Sequence, residues 1–100
     1  MAGNRIELWG RLVSEPELRI TPAGTAILHL AMEFVEPSSN PLAVIMSGDA
    51  AKDSCVGLKT GANLRVIGSL KTVRRRMKSG LFETSYEVVA ESIKLEEPQN

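Results

Sequence analysis

Most of this chain alternates. Ile6, Leu8, Gly10 and Leu12 occupy every second position, with Glu7, Trp9, Arg11 and Val13 between them. A period of two predicts a strand with one apolar and one mixed face. Pro16 ends it. Thr21-Pro22-Ala23-Gly24 reads as a turn, because Pro presets φ at the second position and Gly relaxes the fourth. A second strand comes next, in which Ala26, Leu28, Leu30, Met32 and Phe34 share one face and His29 and Glu33 the other. Glu36-Pro37-Ser38-Ser39-Asn40-Pro41 is a loop by composition. Leu42 to Met46 is a nearly continuous apolar run, which suits a third strand covered on both faces.

Gly48 marks a break, and Asp49 is placed to cap the next segment. That segment, Ala50 to Lys59, reads as a short helix or an irregular connector, with Gly61 as its stop. Leu64, Val66, Gly68 and Leu70 then alternate with Arg65, Ile67, Ser69 and Lys71 as a fourth strand. Lys78-Ser79-Gly80 is the tip of a hairpin. Tyr86, Val88 and Ala90, then Ile93 and Leu95, form a fifth strand with an irregularity near Ser92. The pattern predicts an all-β fold: five strands in a small closed barrel, with a short helix or irregular connector after strand 3. The turns at 21–24, 36–41 and 78–80 exclude a helical bundle, and no linker divides the chain, so residues 1–100 read as one domain with a short acidic tail at 96–100.

Composition adds limits. One hundred residues suit one domain, and a single Cys builds neither an intramolecular disulfide nor a cysteine zinc site. No apolar run approaches the ~18 residues that a membrane-spanning helix needs. Met1 to Arg5 runs straight into the first strand, unlike a signal peptide, so the expectation is a soluble, cytoplasmic protein.

The formal net charge is zero, but its distribution is uneven. Residues 1–53 carry four cations and seven acids, a net of −3. Residues 54–82 carry seven cations (Lys59, Arg65, Lys71, Arg74, Arg75, Arg76 and Lys78) and no acid. Residues 83–100 carry one cation and five glutamates, a net of −4. The middle block is either a footprint for phosphate or a solvated basic hairpin balanced in space by nearby glutamates.

The chemistry of an enzyme is missing. His29 is the sole histidine, on the mixed face of its strand, and reads as a surface or interface residue. Cys55 has no His beside it and reads as a buried structural thiol. Glu96-Glu97 stands before Pro98 as a solvated end. There is no phosphate-cradling glycine loop and no dinucleotide fingerprint. The expectation is a protein that is not an enzyme, with no cofactor and no metal.

Two stretches together carry a resemblance. Asn4-Arg5-Ile6-Glu7-Leu8-Trp9-Gly10-Arg11-Leu12 followed by Pro16 to Ala26 resembles the opening of bacterial single-stranded-DNA-binding proteins. It also resembles that of their shorter relative, primosomal replication protein N. Val44 to Gly48, Lys59 to Leu70, Lys78-Ser79-Gly80-Leu81 and Val89 to Leu95 resemble the shorter relative in order and spacing. Only Glu96 to Asn100 come after the last strand, without the long acidic, aromatic-tipped tail of the typical proteins, which points the expectation toward the primosomal branch.

The resemblance implies an OB-fold barrel that binds single-stranded DNA and forms a homodimer through its first strand, here Ile6, Leu8, Trp9 and Arg11. It implies a role in replication restart, with a helicase and other primosome proteins as partners. The other readings are a protein-interaction module with weak DNA contact and a general single-strand-binding protein. In the family the hairpin between strands four and five is a binding arm. Here it carries Lys71, Arg74, Arg75, Arg76 and Lys78, and Arg19 falls on a further basic site near the first turn. Single-strand binding combines such cations with rings that stack on bases. The four rings are Trp9, Phe34, Phe82 and Tyr86. Phe82, next to the arm, is the stacking candidate; Phe34 reads as core, Tyr86 as core or rim, and Trp9 as dimer interface ahead of base stacking.

Overall fold

The computed structural model describes residues 4–33 and 41–96. Its elements are β1 (Ile6–Leu12), β2 (Glu17–Ile20), β3 (Ala26–Glu33), β4 (Leu42–Ser47), α1 (Asp49–Cys55), β5 (Asn63–Arg76) and β6 (Phe82–Glu96). The sheet closes on itself: β1 pairs with β5, β5 with β6, β6 with β4, β4 with β3, and β3 again with β1. All ring pairings are antiparallel except β4 with β6, which run parallel across Ala43↔Glu87 to Ile45↔Val89. This five-stranded ring, with its helix between the third and fourth ring strands, is the OB-fold that the sequence leads one to expect.

The alternation produces the core. Ala26, Leu28, Leu30 and Met32 of β3 are buried, as are Val44 and Met46 of β4, Leu64 and Val66 of β5, and Val88 and Ala90 of β6. Ala51 of α1 and Leu58 of the next connector join the same cluster. No polar or charged residue is buried among the described residues. Each inward side chain that leaves water stabilises the barrel by about 1.5–3 kcal/mol for a residue the size of Val or Leu.

Three expectations need correction. A sixth strand, β2, pairs with β3 from Glu17↔His29 to Ile20↔Ala26, outside the ring. All four of its residues are exposed, so it has no buried face to write an alternation into the sequence. The turn that joins it to β3 is the expected one: Gly24 N–H donates to the Thr21 carbonyl (2.8 Å), and Gly24 has φ 90°. The helix is also shorter than expected. It ends at Cys55, and Asp49 is its first residue; Gly48 holds the N-cap position and makes no side-chain capping bond. The chain leaves the helical path at Val56, and Gly57, with φ 83°, comes next. Cys55 itself is only partly buried, packed against the edge of the core from the last turn of the helix.

The irregularity expected near Ser92 is a β-bulge. Ile67 pairs with Ser92 and Gly68 with Ala90, so Glu91 is the extra residue. Gly68 is required there, since a Cβ would lie 2.1 Å from the Val89 carbonyl oxygen. Phe34, the loop through Asn40 and the tail from Glu97 lie outside the described residues, and so do the expectations about them. No described helix is long and apolar enough to cross a membrane.

Candidate nucleic-acid interface

β5 and β6 are much longer than the barrel. β1 covers β5 only from Asn63 to Gly68, and β4 meets β6 only at Glu87 to Val89. Beyond these points the two strands continue as a hairpin arm, paired from Lys71↔Glu87 to Arg76↔Phe82. The tip closes with Met77 N–H donating to the Leu81 carbonyl (2.7 Å) and Gly80 N–H to that of Met77 (2.9 Å). Asn4 clamps the arm's base. Its Nδ2 donates to the Leu70 carbonyl (3.2 Å), and Leu70 N–H donates back to Asn4 Oδ1 (2.7 Å). A side-chain amide thus supplies the bonds that a further residue of β1 would have made.

Strand geometry sorts the arm into two faces, because neighbours along a strand point opposite ways and paired residues point the same way. Thr72, Arg74, Arg76, Phe82, Thr84 and Tyr86 lie in phase with the buried Val66 and Val88, and so share one face. Lys71, Val73, Arg75, Glu83, Ser85 and Glu87 share the other. Two contacts agree with this. The Arg74 guanidinium lies 4.1 Å from the centroid of the Phe82 ring. Lys71 Nζ lies 3.6 Å from Glu87 Oε1.

The sequence-expected residues therefore do not form one set. Arg74, Arg76 and Phe82 come together; Lys71 and Arg75 are on the reverse face, with Arg75 registered against Glu83; Lys78 is in the tip. Arg19 is not brought to the arm. It sits on β2, three strands from β6 in the sheet order, with its guanidinium 3.6 Å from Glu17.

Tyr86 is the residue that the sequence reading misplaces. Its phase with Val88 suggests core or rim, yet it is 55% exposed, close to Phe82 at 54%. The phase is right, but Tyr86 lies beyond the last strand that could cover it. The signal is available in arithmetic: a tip near residue 79 implies strands far longer than β1, β3 or β4 can match.

On β1, Ile6 and Leu8 pack against the core, while Trp9 is 55% exposed on the outer face. Arg65 lies 5.7 Å from the Trp9 ring and is held by Glu7, which accepts from its Nε (3.1 Å) and Nη2 (2.9 Å). Arg11 is ion-paired with Glu33. From Ile6 to Gly10 the edge of β1 away from β5 has no strand partner among the described residues.

The OB barrel thus carries a basic arm with exposed rings. Residues 3–96 match the single-strand binding protein family. The chain belongs to that family. It is 30% identical over 105 residues to single-stranded DNA-binding protein 2 of Listeria innocua, covering 97% of this chain and 66% of the relative. It is 33% identical over 110 residues to single-stranded DNA-binding protein A of Bacillus subtilis, covering 97% of this chain and 61% of the relative. The match to the single-stranded DNA-binding protein of Halalkalibacterium halodurans is 32% over 109 residues, covering 96% and 62%. This family member thus spans just under two thirds of the length of these relatives.

Proposed function

We propose that this family member binds single-stranded DNA without sequence preference, in the bacterial cytoplasm, through the β5–β6 arm. The observation that supports the reading is the arm itself. Arg74, Arg75, Arg76 and Lys78 form no ion pair among the described residues, and Arg74 and Arg76 share a face with two exposed rings. Cations follow phosphates and rings stack on any base, so neither reads sequence. With about three phosphates neutralised per subunit, log K should fall with log salt at a slope of roughly −2. Fluorescence anisotropy of a labelled oligothymidylate at two salt concentrations tests this. A flat response, or no binding at low salt, overturns the reading.

The reading includes a homodimer along β1, supported by the open strand edge and the exposed Trp9. A second reading is an adaptor in replication restart that contacts a helicase and other primosome proteins. The small ring inventory favours it: among the described residues only Phe82 and Tyr86 lie on the arm. Tight, length-dependent saturation of long single strands supports the general single-strand-binding protein. Weak saturation together with capture of a replicative helicase supports the adaptor.

A further inference from the structure

We propose that the single strand lies along one face of the arm only, the face bearing Arg74, Arg76, Phe82 and Tyr86. The reverse face is left out. The proposal rests on the strand-binding reading and narrows it to half of the hairpin's side chains.

Charge separates the faces, although each carries two strand cations. On the reverse face each cation is registered against a glutamate, Lys71↔Glu87 and Arg75↔Glu83. For Lys71 the pairing is made, at 3.6 Å; Arg75 faces Glu83 in register and makes no ion pair among the described residues. A phosphate arriving there competes with a carboxylate for each cation and is itself repelled by that carboxylate. Arg74 is registered against Thr84 and Arg76 against Phe82, so a phosphate on their face meets no fixed anion. A sum over the hairpin hides this difference entirely.

The rings make the same choice. Phe82 and Tyr86 are both on the Arg74 face, four residues apart on β6 and so about 13 Å apart. A stacked strand rises about 3.4 Å per nucleotide, so a span of that length covers about four nucleotides. Arg74 already lies over Phe82, so the ring accepts a flat cationic partner, and it is still 54% exposed.

The neighbouring surface points the same way. The reverse face of the arm continues across Glu87 and Ala43 onto the outer face of β3 and β4. There a shallow cleft is lined by Glu15, Glu17 and His29 among others. The nearby cations Arg11 and Arg19 are already paired with Glu33 and Glu17. A polyanion crossing that side would meet Glu87, Glu17 and Glu15, and cations that already have carboxylate partners.

Two double variants of the full chain separate the faces, since each removes two positive charges from the same arm. Arg74→Ser with Arg76→Ser should reduce the neutralised phosphates from about three to one. That lowers oligothymidylate affinity by roughly 60-fold at 50 mM salt and roughly 10-fold at 200 mM, and flattens the salt slope toward about −0.7. Lys71→Ser with Arg75→Ser should change affinity less than threefold and leave the slope in place. Circular dichroism confirms that both variants keep the barrel. Equal losses, or a larger loss in the second variant, overturn the one-face assignment while the function stands. So does unchanged binding in both. If the wild-type chain itself fails to bind, the strand-binding reading falls, and the face assignment with it.

Discussion

Replacing Phe82 by Ala separates stacking from charge. The ring is about half exposed at the far end of the arm, in contact with Arg74 at 4.1 Å and remote from the buried cluster. Losing the ring over an exposed guanidinium costs the protein about 0.5–1 kcal/mol, so the fold survives. Losing a stacking platform costs binding about 1–3 kcal/mol per base, a factor of about 5 to 150. All the cations remain, so the slope of log K against log salt should stay near −2 while the whole line drops. Anisotropy titrations over a salt series, with thermal unfolding in parallel, read both quantities. A flattened slope with little change in the high-salt intercept would refute the reasoning. Phe82 would then act by holding Arg74 in place and not by meeting a base.

The geometry sets two further outcomes. Gly68→Ala places a methyl 2.1 Å from the Val89 carbonyl oxygen and 2.9 Å from the Ala90 Cα. Both neighbours are backbone, so the bulge must shift; the urea midpoint should fall by an amount equivalent to about 1–3 kcal/mol or more, and an unchanged midpoint contradicts the structure. Trp9→Glu puts a charge on the outer face of β1 beside its open edge. Sedimentation equilibrium should then show a monomer where the wild-type chain is a dimer, and equal masses for the two argue against pairing along β1.

The barrel is legible in the chain because burial has a period. Leu28, Leu30 and Met32 must face one way whatever their partners are, and so must Leu64 with Val66 and Val88 with Ala90. The turns at Gly24 and Gly80 are equally local: each depends on a few adjacent residues. β2 is not legible, since a strand with no buried residue leaves no period, and its two flanking prolines, Pro16 and Pro22, look like punctuation around a loop. Tyr86 shows the complementary failure. Its phase is plain in the sequence, but phase states which way a side chain points and not what lies there.

Charge divides the same way. The sequence alone determined that the cations gather between Ser54 and Phe82, because position along the chain is all such a count needs. Only the tertiary structure decided which of them share a face with a carboxylate. Pairing register sets Lys71 against Glu87 and Arg75 against Glu83, and leaves Arg74 and Arg76 beside Phe82 and Tyr86. Register is fixed by the turn at the tip and by the buried residues at the base. Both lie several residues from the cations they sort.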